Sequence, residues 1–162
     1  MQDVCACFLL YEKGRVKMKA VIQRVKQTSL RVGSELISQI PFGLTVFFGV
    51  KSGDTEKQAE YIVKKIAGLR IFEDANGKMN LSVKDVGGEI LFVSQFTLYG
   101  DCSRGNRPSF TDAERPERAA ALYEYAKEKL ATYDIPIKTG VFGADMQIEQ
   151  HNDGPVTIII EV

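Results

Sequence analysis

Three short stretches of this 162-residue chain carry groups that could do chemistry. In LFVSQFTLYG, the polar side chains of Ser94, Gln95 and Thr97 interrupt an otherwise apolar run beside Phe96. A buried hydroxyl or amide costs free energy unless it is hydrogen-bonded. Such a strand either satisfies its own end or stops at a pocket and presents these groups, with nearby backbone N–H groups, to a ligand. In HNDGPVT, Gly154 precedes Pro155. X-Pro is the common place for a cis peptide bond, and glycine lets main chain approach a ligand closely; a plain turn before a last strand is the competing reading. In SRGNRPSF, Arg104 and Arg107 are either solvated surface charges or phosphate contacts.

What is missing narrows the chemistry further. The single histidine, His151, makes a Cys/His zinc site unexpected, and no resident metal or cofactor is anticipated. There is no Walker A loop, no G-x-G-x-x-G, and no G-x-S-x-G to give His151 a nucleophile. An enzyme built from this set works with hydroxyls, amides, backbone groups and the substrate itself. Basic and acidic residues number 21 each, for a formal net charge of zero. That argues against holding long nucleic acid by bulk electrostatics, yet leaves room for a small basic patch that reads one RNA end. Cys5, Cys7 and Cys102 are too few and too scattered for a disulfide framework and suit reduced thiols in the cytoplasm. No apolar run is long enough to span a bilayer, so no membrane partner is expected. Residues 1–17 lack a basic n-region and an A-x-A-like site; they read as an N-terminal extension outside the core fold, with the domain spanning residues 18–162.

The elements that must position these groups follow from periodicity. Residues 19–25 alternate and are rich in β-branched residues, predicting a strand. Residues 28–40 predict two short strands around Gly33-Ser34, a hairpin signal. Residues 42–50 and 89–98 are nearly all apolar and predict strands buried on both faces. Between them, Asp54 or Thr55 can cap a helix whose Ala59, Ile62, Val63, Ile66 and Leu69 recur at helical spacing. Asn76-Gly77 predicts a turn. Thr111 to Glu114 has capping-box form and Pro116 suits a first helical turn; that helix should run to about Ala131 and bury Ala119, Leu122, Tyr123, Ala126 and Leu130. Two short strands within residues 138–150 and 156–162 close the chain. The sum is one mixed α+β domain with two main helices. The all-apolar last strand needs cover on both faces, and a partner subunit could supply one of them.

Taken together, MKAVIQRV, VSQFTLYGD, GNRPSF, FGADM and NDGPVT, in this order, resemble the D-aminoacyl-tRNA deacylases of the D-Tyr-tRNA(Tyr) type. The resemblance covers Met18 to Val162; residues 1–17 match nothing in that pattern. It implies a homodimer with a three-layer β/β/α fold and an active site at the subunit interface. By the resemblance, Gly154-Pro155 is a Gly-cisPro element inserted into the other subunit's pocket, with Asn152 beside it. Ser94, Gln95, Phe96 and Thr97 form the catalytic pocket wall, Arg24 orients the Gly-cisPro carbonyls, and Phe142 and Met146 line the site of the terminal adenosine. Arg104 and Arg107 are then candidate tRNA phosphate contacts.

The implied substrate is an aminoacyl-tRNA ester whose D form is hydrolysed and whose L form is excluded by main-chain carbonyls standing where an L side chain must go. Glycine has no side chain to exclude, so glycyl-tRNA mischarged on tRNA-Ala is an expected substrate as well. The rate is expected from the RNA 2′-OH, from orientation and from N–H donors near Phe96 and Thr97, with Thr97 as a covalent nucleophile the competing route. A non-catalytic nucleic-acid or nucleotide-binding dimer is the alternative function. A small structural dimer would leave the polar groups of SQFTL without a purpose.

Overall fold

The computed structural model describes residues 18–162, so the expected extension 1–17 and the readings of Cys5 and Cys7 lie outside the described residues. Strand β1 (Lys19–Val32) is the spine on which the rest is hung. One edge pairs antiparallel with β8 (Gln147–Glu161). The other pairs through its first half with β3 (Gly43–Gly49) and through its second half with β2 (Glu35–Ile40). Beyond β3 lie β6 (Glu89–Ser94) and β7 (Ile137–Thr139), both joined in parallel. Parallel neighbours need long crossovers. Helices α1 (Glu56–Gly68) and α2 (Pro116–Ala131) provide them. Ser38 Oγ on β2 donates to the Thr139 carbonyl on β7 at 2.5 Å, which draws the two ends of the mixed sheet into a nearly closed, barrel-like shape. A small hairpin of β4 (Phe72–Glu73) and β5 (Met79–Leu81) surrounds the Asn76-Gly77 turn.

The sheet separates two hydrophobic clusters because successive side chains on a strand point to opposite faces. Ile90 and Phe92 join Ile22, Val46 and Phe48 against the buried stripes of both helices. Leu91 and Val93 instead join Val25, Leu30 and Ile40. Phe92 stacks on Tyr123 with ring centroids 5.1 Å apart, and the Tyr123 hydroxyl donates to the Phe92 carbonyl at 2.7 Å. This ties α2 to the central strand through apolar contact and a satisfied polar group together. Burying a side chain of this size contributes roughly 1.5–3 kcal/mol.

Four expectations are corrected. The stretch 19–32 is one strand, not a strand followed by a hairpin arm, because β8 pairs along it through two register irregularities. The central strand ends at Ser94 rather than Leu98; Phe96–Tyr99 form a 3₁₀ turn. No capping box forms at Thr111 to Glu114: the N-cap of α2 is Arg115, and Glu114 accepts from the backbone N–H groups of Arg115 and Gly53. The reciprocal cap is at α1, where Gln58 Oε1 accepts from Thr55 N–H at 3.0 Å. Finally, the C-terminal segment is a single strand with an irregular register, and within one chain it is covered on one face only. Val156, Ile158, Ile160 and Val162 pack against the core, while Ile159 is 63% exposed.

The turn leading into α1 is clasped to the segment entering α2. Asp54, fully buried, accepts from Lys51 N–H at 2.6 Å, and Arg118 donates to the Asp54 carbonyl at 2.8 Å. Among the described residues Asp54 Oδ1 has no partner. Burial pushes the Asp54 carboxyl up to about 6, against the lowering effect of the Lys51 N–H. A carboxyl raised on folding favours the folded state below its unfolded pKa and loses that contribution as pH rises toward the folded value. The unfolding free energy of wild type relative to Asp54→Asn should therefore fall by about 2 kcal/mol between pH 4 and pH 7, read from urea titrations at both pH values. An unchanged difference would show that Asp54 does not titrate in this range.

Candidate active site

The SQFTL stretch straddles the end of a strand. Gln95 N–H still donates to the Phe48 carbonyl at 2.8 Å, as a strand residue would, and the chain then tightens into the 3₁₀ turn Phe96–Tyr99. Gly49 permits this. A Cβ there would stand 3.0 Å from the Tyr99 ring and 3.1 Å from the Gln95 carbonyl, so any larger residue would have to push the turn back by a few tenths of an ångström from the end of β3. The Tyr99 hydroxyl donates to the Gly49 carbonyl at 2.9 Å, and burial pushes its pKa upward, so it stays a donor. A 3₁₀ turn leaves its first N–H groups outside its own ladder, and here that start faces open space.

That space is a cavity of about 1070 Å³, lined by strand, 3₁₀-turn and loop residues and by Pro116 and Ala119 at the start of α2. Ser94, Gln95, Phe96 and Thr97 form one wall and Phe142 and Met146 belong to another, so six of the anticipated residues converge. Gln95 Nε2 donates to Thr97 Oγ1 at 3.0 Å; an amide neighbour gives a proton to this hydroxyl and takes none. Phe96, 56% exposed, meets Phe110 edge-on with ring centroids 5.3 Å apart. Phe142 sits 6.2 Å from the Tyr123 ring. Glu114 also lines the cavity, but its oxygens are engaged by Arg115, Gly53 and Arg118, and the Arg115 N–H foremost holds its carboxyl below the usual range. Gln23, Phe110 and Glu114 were not singled out from the sequence. Their long-range placement, from β1 and from the loop before α2, leaves no local motif.

The remaining anticipated residues stand elsewhere. Asn152, Gly154 and Pro155 are exposed and do not line this chain's own cavity. They belong to a bend in β8: Gln23 pairs with Thr157 and Val25 with Asn152, so the residues from Asp153 to Val156 face Arg24 alone. The Gly154-Pro155 peptide bond is cis, and Gly154 has φ +117°, a region that favours glycine. Arg24, 6% exposed, holds this bend from beneath. Its Nη1 donates to the Ile71 carbonyl at 2.7 Å, and its Nε reaches the Asp153 carbonyl at 3.3 Å and the Asp153 carboxylate at 3.2 Å. Arg104 and Arg107 lie in an exposed loop whose base is closed by reciprocal backbone bonds between Asp101 and Ser109. Neither lines the cavity, though Phe110, which follows the loop, does. Among the described residues no helix is long and apolar enough to cross a membrane.

Fold and cavity together define a mixed α+β domain whose pocket opens where a central strand ends, walled by main chain, amides and aromatic rings. The family model described as D-Tyr-tRNA(Tyr) deacylase matches residues 21–161. The chain is 56% identical over 144 residues to a D-aminoacyl-tRNA deacylase of Desulfitobacterium hafniense, covering 89% of this chain and 97% of that protein. It is 53% identical to the Bacillus cereus protein of the same name, covering 89% and 99%. Among solved structures, a c-Myc DNA unwinding element binding protein superposes with TM-score 0.83 at 46% identity, covering 89% of this chain and 98% of that one. A probable eukaryotic D-amino acid tRNA deacylase shares the fold, with TM-score 0.79 at 17% identity over 90% and 100% of the two chains. The chain belongs to the D-Tyr-tRNA(Tyr) deacylase family, and so to hydrolases of the aminoacyl-tRNA ester bond.

The contacts of Arg24 give a direct test of how the bend is held. A lysine has one charged nitrogen and no planar fork, so it does not reach Ile71 and Asp153 together. Arg24→Lys should lower the unfolding free energy by about 2 kcal/mol in urea titration. An unchanged midpoint would show that these bonds contribute nothing to the fold.

Proposed function

We propose that this chain is a homodimeric deacylase that hydrolyses the ester of D-aminoacyl-tRNAs and spares the L forms, with each pocket completed by the partner's Gly154-Pro155 bend. The observation that carries this reading is a division of parts. The pocket wall from Ser94 to Thr97 lies in this chain's cavity, whereas the bend does not line it and stands exposed on a buried arginine. A bend held from beneath and left exposed suits the pocket of a second copy. The uncovered face of β8 around Ile159 is where a partner could contribute the cover that one chain lacks.

In this reading Phe142 and Met146 receive the terminal adenosine. The ester carbonyl lies beside the start of the 3₁₀ turn, where the N–H groups of Phe96 and Thr97 stabilise the developing oxyanion. Water adds to the carbonyl carbon, the bond to the ribose oxygen breaks, and the ribose hydroxyl leaves with its proton, giving free D-amino acid and tRNA. The neighbouring 2′-OH helps position and activate the water, and no protein side chain is an obligatory nucleophile. The Gln95-to-Thr97 bond supports this route, because Thr97 is paired with a donor rather than a base. Main-chain carbonyls of the bend stand where an L side chain would go. The D side chain points elsewhere, so its identity matters little, and glycyl-tRNA is admitted. Arg104 and Arg107 stand ready for phosphates near the tRNA end. The solved relative named for DNA binding favours one second reading, a dimer that binds nucleic acid without hydrolysis.

Matched deacylation assays decide between them. D-Tyr-tRNA should be cleaved faster than L-Tyr-tRNA by about a hundredfold or more, with glycyl-tRNA cleaved too; tight binding without turnover of D-Tyr-tRNA would leave the binding reading. Thr97→Ala should keep activity within about tenfold of wild type. Abolished activity in a folded Thr97→Ala protein would instead make Thr97 the nucleophile.

A further inference from the structure

The bend is held at its neck as well as from beneath, and the neck is tied to the cavity wall. Gln23 lines the cavity. Its Nε2 donates to Thr157 Oγ1 at 3.3 Å, on the far side of the bend, and its Oε1 accepts from Gln150 Nε2 at 2.7 Å. The same Gln150 nitrogen donates to Asn152 Oδ1 at 2.8 Å, on the near side. Gln23 and Gln150 thus form a cross-brace over the two residues, Asn152 and Thr157, between which the chain leaves the ladder and returns.

The brace carries a cost that packing alone would not select. Both Gln150 amide protons are spent on the two acceptors, and Gln150 Oε1 is buried with no partner among the described residues. A buried acceptor without a donor is destabilising. An aliphatic side chain of similar length would remove that cost but would leave Gln23 Oε1 and Asn152 Oδ1 without this donor. What Gln150 does that no aliphatic side chain can is join Gln23 to Asn152.

We propose that Gln150 is a positioning residue for stereochemical discrimination, locking the neck of the Gly154-Pro155 bend to the pocket residue Gln23. This rests on the reading of the bend as the barrier to L side chains. On that reading a D-ester does not press on the bend, whereas an L-ester is excluded only as far as the bend holds its place. Loosening the neck selectively admits the L form.

The test compares wild type, Gln150→Leu and Gln150→Glu in the full-length protein, using D-Tyr-tRNA and L-Tyr-tRNA as paired substrates and thermal melting as the control. Leucine removes the donors and the orphan acceptor together; glutamate keeps the size but offers no donor at neutral pH. In both variants the ratio of kcat/KM for D over L should fall by about fivefold to tenfold, through faster cleavage of the L-ester. Gln150→Leu loses the orphan acceptor and two hydrogen bonds together, so melting serves only to show that the variant is folded, and the D-to-L ratio decides. An unchanged D-to-L ratio in both variants overturns the brace while leaving the deacylase reading intact. A parallel loss of activity on both esters, with a lower melting temperature, assigns Gln150 a structural role and overturns the proposal as well. Wild type that cleaves neither ester, or both at equal rates, fails the underlying reading instead.

Discussion

The guanidinium of Arg24 is the contact on which the bend of β8 depends. It is a buried charge, and a buried charge is tolerated only when its donors are used. Here they engage the Ile71 carbonyl at the start of the β4 segment and both the carbonyl and the carboxylate of Asp153. Phe72 lies against it, with its ring centroid 6.0 Å from the guanidinium carbon. Losing the Ile71 carbonyl would leave Nη1 unmet in the interior, while Nε has two acceptors to choose between, both on Asp153. The segment from Asp153 to Val156 is thereby held away from the β1–β8 ladder rather than left to slide into it.

The site is built mainly from main chain and amides. The SQFTL wall takes its shape from a strand that gives way to a 3₁₀ turn, made possible by the missing side chain at Gly49 and held by the Tyr99 hydroxyl. The cavity's carboxylate at Glu114 is committed to backbone donors and to Arg118, and Thr97 faces a donating amide. A pocket of this kind orients a reactive ester and stabilises charge by fixed dipoles more readily than it abstracts protons.

The two crossovers serve the pocket as well as the core. The turn before α1 is fastened to the segment before α2 by Asp54, by the Ser52 N–H donating to the Asp112 carbonyl at 2.9 Å, and by the Glu114 N–H donating to Val50 at 3.0 Å. That segment carries Phe110, Ala113 and Glu114, which line the cavity. Packing of α2 through Tyr123 and Phe92 therefore reaches the pocket by two routes, one through the sheet and one through this clasp.

Much of the domain was legible in one dimension. Helical spacing marked the buried residues of α1 and α2, the apolar runs marked β3 and most of β6, and the polar interruption at Ser94, Gln95 and Thr97 marked a wall of the cavity. These are local patterns, set by side-chain periodicity and by the cost of burying unpaired polar groups. What periodicity does not carry is which distant segments share a ladder. The unbroken course of β1, the bend of β8 around Arg24, the bridge from Gln23 to Gln150, and the exposed face at Ile159 all arise from pairing between residues more than a hundred positions apart. Six of the residues that line the cavity could be named from the chain, whereas Gln23, Phe110 and Glu114 could not. That the bend stands outside its own cavity was decided only when the sheet closed, because register and burial are properties of the assembled layers and not of any segment alone.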